Sequence, residues 1–97
     1  MRIIAKSRLK KFWEKHADAE QAMKSWYAIV EKVDWASPQD VKDRFARASI
    51  LRDNRVVFDI AGGNYRLVVK FNYPYRIAYI RFVGTHKQYD SIDSEDV

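Results

Sequence analysis

Three apolar runs separated by short turn signals restrict this chain more than any other feature. They are Arg55-Val56-Val57-Phe58-Asp59-Ile60, Tyr65-Arg66-Leu67-Val68-Val69-Lys70-Phe71 and Ile77-Ala78-Tyr79-Ile80-Arg81-Phe82-Val83. Each is short and rich in β-branched and aromatic residues, as strands are. Gly62-Gly63-Asn64 marks the first turn and Asn72-Tyr73-Pro74-Tyr75-Arg76 the second. Connections this short favour antiparallel neighbours. The stretch from Asn54 to Asp90 therefore reads as a β-meander, closed by the polar cluster Gly84-Thr85-His86-Lys87-Gln88-Tyr89-Asp90.

The residues before the meander read as scaffold. Arg2-Ile3-Ile4-Ala5 is a short strand that has to pair non-locally with one of the meander strands. Leu9, Phe12, Trp13 and His16 fall at helical spacing, with Ser7 as a cap and an end near His16-Ala17. Asp18 is a second cap, before a longer helix from about Ala19 to Lys32. That helix carries Ala22, Trp26, Ile29 and Val33, with Met23, Tyr27 and Val30 widening the stripe. Together the two form a hairpin that lays Phe12, Trp13, Trp26 and Tyr27 on a sheet. Ser37-Pro38 opens a third, short helix to about Phe45, burying Val41 and Phe45. Ala46 to Asn54 is a loop or irregular strand anchored by Ile50 and Leu51, and the basic residues Arg44, Arg47, Arg52 and Arg55 lie in or beside it. The expected class is α+β, a single domain over residues 1–97.

Charge adds a functional constraint. The net charge is +5, but Asp90, Asp93, Glu95 and Asp96 remove four charges, so the residues before Asp90 carry +9. A compact body that basic points to a polyanion such as RNA or DNA. With no cysteine there is no disulfide framework, thiolate zinc site or cysteine nucleophile. No apolar run approaches the ~18 residues of a membrane span. Lys6, Arg8, Lys10 and Lys11 follow Arg2–Ala5 at once, which excludes a signal-peptide apolar region. The expected location is cytoplasmic, with no membrane partner.

Strand alternation sets Arg66, Val68 and Lys70 on one face and Tyr65, Leu67, Val69 and Phe71 on the other, the more apolar set meeting the helices. In the next run Tyr79 and Arg81 alternate with Ala78, Ile80 and Phe82. Arg66, Lys70 and Arg81 are thus candidates for one basic strip; ordinary solvated charge is the alternative. The cluster after the last run offers an imidazole (His86), an ammonium (Lys87), a phenol (Tyr89) and a carboxylate (Asp90). Such groups can exchange protons near neutral pH, stabilise an anion and stack on a base. They also fit a capped turn leading into a frayed acidic tail. Two distant histidines without cysteine make a poor metal site, and Gly62-Gly63-Asn64 lacks the Lys-Ser/Thr and helix of a phosphate loop. RNA cleavage without metal or cofactor needs a base for the ribose 2′-hydroxyl, cations for the phosphorane and an acid for the leaving oxygen. His, Arg, Lys and Tyr supply those roles.

Two pieces, Gly-Gly-Asn-x-Arg-Leu at Gly62–Leu67 and Thr-His-x-x-Tyr-Asp at Thr85–Asp90, resemble the HigB toxin family of the RelE-like superfamily. The resemblance implies a RelE-like fold, with two N-terminal helices on an antiparallel sheet of about four strands. It implies a toxin of a type II toxin–antitoxin system, a ribosome-dependent, metal-independent endonuclease that cleaves mRNA in the A site and so inhibits translation. Its partners would be ribosome-bound mRNA, ribosomal RNA and a helix-turn-helix antitoxin of the HigA type. Site roles follow by position: Arg66 on the scissile phosphate, His86 as acid or base, Lys87 as a further phosphate stabiliser and Tyr89 as orienting or stacking group. Lys70, Arg81, Arg55 and Arg52 are the expected RNA-binding residues, since the Arg47–Arg55 region supplies basic residues in other members. The chain departs from some relatives in having no glutamate in the sheet and no longer C-terminal helix. The same charge and aromatics would serve a non-catalytic RNA- or ribosome-binding module, or a regulatory partner active only with an antitoxin.

Overall fold

A computed structural model describes residues 1–97. Strand β1 (Arg2–Ile4) leads into helices α1 (Lys6–Lys15) and α2 (Glu20–Lys32), with a single 3-10 turn at Ala17–Ala19 between them. Helix α3 (Pro38–Arg44) and the two-residue strand β2 (Ser49–Ile50) follow. Then come β3 (Arg55–Ile60), β4 (Tyr65–Asn72), β5 (Ile77–Thr85) and a short helix α4 (His86–Asp90). The class is α+β, as expected, with a sheet of five strands in the order β1-β5-β4-β3-β2.

The sheet differs from an antiparallel sheet of about four strands in two ways. Ser49–Ile50, inside the region read as a loop or irregular strand, pairs antiparallel with Val56–Val57. The N-terminal strand does find the meander, but it runs parallel to β5, with Ile3 opposite Ala78. A parallel partner needs a long crossover, which the helices and the rest of the meander provide. Beyond the end of β1, Arg8 of α1 donates to the Ile80 carbonyl oxygen at 2.7 Å, satisfying a strand edge that β1 is too short to reach.

The core lies between the helices and one face of the sheet. Leu9 and Trp13 of α1, Met23, Trp26 and Val30 of α2 and Val41 of α3 pack on Val56, Phe58, Leu67, Val69, Phe71, Ala78 and Ile80. Their spacing of three and four along the helices, and of two along the strands, brings each set to one side. Trp26 and Phe45 both meet Phe58 edge-on, with ring centroids 5.4 and 5.2 Å apart, an arrangement favoured by ring quadrupoles. Each fully buried large side chain contributes roughly 1.5–3 kcal/mol, so this face anchors the fold. Asp18 does not cap α2; its carboxylate instead accepts the Tyr65 hydroxyl at 2.5 Å, tying the interhelical turn to the start of β4. No helix is long and apolar enough to cross a membrane.

Candidate functional site

The register of β3, β4 and β5 arranges the face turned away from the helices in three rows. Asp59, Arg66 and Gly84 make the first, Val57, Val68 and Phe82 the second, and Arg55, Lys70 and Tyr79 the third. A register shift at Val68/Val69 sets Val68 opposite Phe82 but Val69 opposite Ile80, so Arg81 is the extra residue of a bulge. A bulge reverses the alternation of the strand beyond it. Phe82, grouped with Ala78 and Ile80 by simple alternation, therefore lies on the Arg66 face, while Val83 turns to the core.

Arg66 is held at the end of this face nearest the β3–β4 turn. Its Nε stands 3.3 Å from an Asp59 carboxylate oxygen, and Nη1 donates to the carbonyl oxygens of Gly63 at 2.5 Å and Tyr65 at 3.3 Å. Gly62 and Gly63 adopt φ of +69° and +95°, which only glycine takes readily, and this turn aims the Gly63 oxygen at the guanidinium. Nη2 has no partner in the protein. Arg66 thus keeps one fork nitrogen free on a fixed, partly exposed plane, a geometry suited to a phosphate oxygen.

Helix α4 begins beside the same turn. The His86 amide donates to the Asn64 carbonyl oxygen at 3.1 Å, and Gly84, two residues earlier, is the partner of Arg66. Thr85 and Gln88 close a reciprocal capping box: the Gln88 amide donates to the Thr85 hydroxyl, and the Thr85 amide to the Gln88 side-chain oxygen. The polar cluster, for which a capped turn is the alternative reading, is thus a short capped helix. His86 Nδ1 lies 3.1 Å from Asp90 Oδ2, one helical turn on. A carboxylate on one ring nitrogen orients the imidazole and leaves the other nitrogen for chemistry. Tyr89 leans on Phe82, ring centroids 6.4 Å apart, over the middle row. Lys87 is exposed, with no side-chain partner.

Arg66 and the start of α4 are brought together by the backbone, although no hydrogen bond or ion pair joins Arg66 to His86, Lys87 or Tyr89. Lys70 and Arg81 lie at the far end of the face, where they line a cleft of about 570 Å³ with Tyr75, Tyr79, Asn54 and Asn72. Tyr75 projects from the β4–β5 turn and is 77% exposed. Arg55 is buried, its Nε and Nη2 both donating to the Val97 main-chain oxygen at 3.1 and 3.0 Å. Arg52 pairs with Glu95. Reading the sequence assigns no site role to Asp59 or Arg47, and names Asp90 only as a carboxylate of the polar cluster, without its pairing to His86. Asp59 was legible only through the hairpin register, and Asp90 through its i,i+4 spacing from His86. Arg47 borders a smaller cleft of about 250 Å³ beside Asp59 and Gly63. No three of the His, Asp and Glu side chains gather as metal ligands.

The sequence profile of the HigB toxin family, the RelE-like toxic component of a toxin–antitoxin system, matches residues 19–92. The chain belongs to the HigB toxin family. Over 94 residues it is 22% identical to the mRNA interferase HigB of Escherichia coli O6:H1 (strain CFT073), an alignment covering 95% of this chain and 91% of that protein. The matched span of the HigB family takes in α2, the whole meander and α4, and so every candidate site residue described above. Membership of a toxin–antitoxin family implies an antitoxin partner.

Proposed function

We propose that this HigB-family toxin is an endoribonuclease that cleaves mRNA in the ribosomal A site, without a metal, and that a HigA-type helix-turn-helix antitoxin neutralises it in the cytoplasm. One observation carries the reading: β4–β5 pairing seats Arg66, with a free guanidinium nitrogen, beside the helix that bears His86, Lys87 and Tyr89. In the proposed reaction a base, His86 or a group it serves, takes the ribose 2′-hydroxyl proton. The 2′-oxygen then attacks the adjacent phosphorus and the bond from phosphorus to the 5′-oxygen breaks. A second proton, from the protonated imidazole or from solvent, goes to that 5′-oxygen, leaving a 2′,3′-cyclic phosphate and a 5′-hydroxyl. Arg66 and Lys87 meet the negative charge that accumulates on the phosphorane, Tyr89 stacks on or orients a base, and Asp90 positions the imidazole. Lys70, Arg81, Arg55 and Arg52 hold the flanking strand.

Mapping of new 5′ ends on translating ribosomes tests this. Wild-type protein should produce ends within codons. Arg66→Ala and His86→Ala should each lower cleavage by roughly 10²–10³-fold while remaining folded by circular dichroism. Arg66→Lys, which keeps a charge near Asp59, guards against a folding defect and should also lose most activity, since a point charge does not replace the fork. Undiminished cleavage by the folded Arg66 and His86 variants would sink the site. Ribosome binding without any new ends would favour the non-catalytic module.

A further inference from the structure

Residues 93–97 run back over the sheet face that carries Arg66 and Lys70. Three arginines hold them, Arg52 and Arg55 from the approach to β3 and its start, and Arg81 from β5. Arg52 pairs with Glu95; Arg55 gives two hydrogen bonds to the Val97 main-chain oxygen; and Arg81 Nε donates to that same oxygen at 3.3 Å. Between Arg55 and the Arg66 row lie Val57 and Val68, which are 3% and 0% exposed yet stand outside the main core. Ile92 and Val97 are themselves half-buried. The segment is internally bonded as well: the Asp96 amide donates to the Asp93 carbonyl oxygen, and the Glu95 amide to the Asp93 carboxylate. One carboxylate, Glu95, and the Val97 main-chain oxygen of an acidic segment thus meet the three arginines that a flanking RNA strand would need.

We infer that the segment Asp93–Val97 is an internal competitor for RNA, a strap that occupies the arginine strip with the Glu95 carboxylate and the Val97 main-chain oxygen where phosphate oxygens would sit. This rests on the RNA-cleaving reading above and assigns that site a form of regulation. The carboxylate contact of the strap is weakly held. Arg52 and Glu95 have side chains 78% and 40% exposed, and exposed pairs contribute little to stability. A single-stranded RNA gains counterion release with every phosphate it places on the strip, so it displaces the strap. Lifting the segment uncovers Arg55 and extends the cationic track from Arg66 to Arg81.

The test is binding of a short single-stranded RNA with 2′-O-methyl riboses, which the proposed chemistry cannot cleave, read by fluorescence anisotropy. The variant Asp93→Asn/Glu95→Gln/Asp96→Asn should bind roughly tenfold more tightly than wild type. A control with the same charge change on the helices and away from this face, Glu14→Gln/Glu31→Gln/Asp43→Asn, should gain much less. In an Arg52→Ala background the benefit of the segment variant should shrink, because the pair it breaks is already gone. Hydrogen exchange at the Glu95 and Asp96 amides of the wild-type protein should speed up when RNA is added. Equal affinity of segment variant and wild type, or an equal gain by the control, overturns the strap and leaves the RNA reading standing. Absence of RNA binding by every protein overturns both.

Discussion

At Arg66 the guanidinium is divided between two tasks. Nε and Nη1 are spent on Asp59 and the Gly63 turn, and Nη2 is free. Asp59→Asn should therefore lower cleavage by less than Arg66→Ala does, since the arginine remains but its plane is no longer fixed; cleavage assays with matched folded protein check the order. A different kind of residue, Tyr73, tests the core. Its hydroxyl is buried without a partner, and burial, then the Asp40 carboxylate, pushes its pKa up to about 12. The folded state thus binds this proton more tightly than the unfolded chain at 10.0. The stability it supplies is complete below pH 10 and falls as pH rises toward 12. Tyr73→Phe should abolish that alkaline loss. At neutral pH it should stabilise by about 1 kcal/mol, because an unsatisfied buried hydroxyl disappears, raising the melting temperature by roughly 4–8 °C. Thermal melts at neutral and alkaline pH decide it; a lower neutral melting point for the phenylalanine variant would contradict it.

Among the elements, α4 carries His86, Lys87 and Tyr89 of the proposed site on little support from the core. It has five residues, none of them buried, and is defined by the Thr85–Gln88 box. Thr85→Ala should cost about 1 kcal/mol of helix stability. Because α4 contributes no core residue, that loss should appear as local opening and reduced cleavage, with the global melting temperature moving by less than about 4 °C. A large fall in the melting temperature would mean that α4 is integral to the core. The β5 bulge acts at the same scale. By inserting Arg81 it turns Phe82 toward Tyr89 and Val83 toward the core, so a single extra residue supplies the platform on which Tyr89 rests.

On the scale of the whole molecule, the sheet separates two environments. Its helix-covered face is anchored by Trp13, Trp26, Phe58 and Phe71, and its other face carries Arg55, Arg66, Lys70 and Arg81. The net charge of +5 is the residue of a more basic body partly neutralised by its own acidic segment. Binding of single-stranded RNA should weaken steeply with salt. Lys70→Ala and Arg81→Ala should each reduce the slope of log affinity against log salt by about 0.7, one phosphate contact apiece. Titrations at several salt concentrations read this directly, and unchanged slopes in both would place the RNA elsewhere.

Much of this protein was legible in the sequence because the signals are local. Alternation in Tyr65–Phe71 separates Arg66 and Lys70 from the core set, Gly62-Gly63-Asn64 punctuates the hairpin, and the three-and-four spacing of Trp26, Val30 and their neighbours marks the face of α2. The two quoted pieces around Arg66 and His86 were enough to place the chain in its family. Tertiary structure alone decided the rest, since it depends on contacts between residues far apart in the chain. These include the parallel seat of β1 beside β5, the carboxylate of Asp59 on Arg66, the bulge that reverses Phe82, and the return of Asp93–Val97 onto Arg52, Arg55 and Arg81. In the sequence the acidic segment looks like a solvated tail, because nothing local says what it touches. Only the folded sheet gathers three arginines tightly enough to hold it.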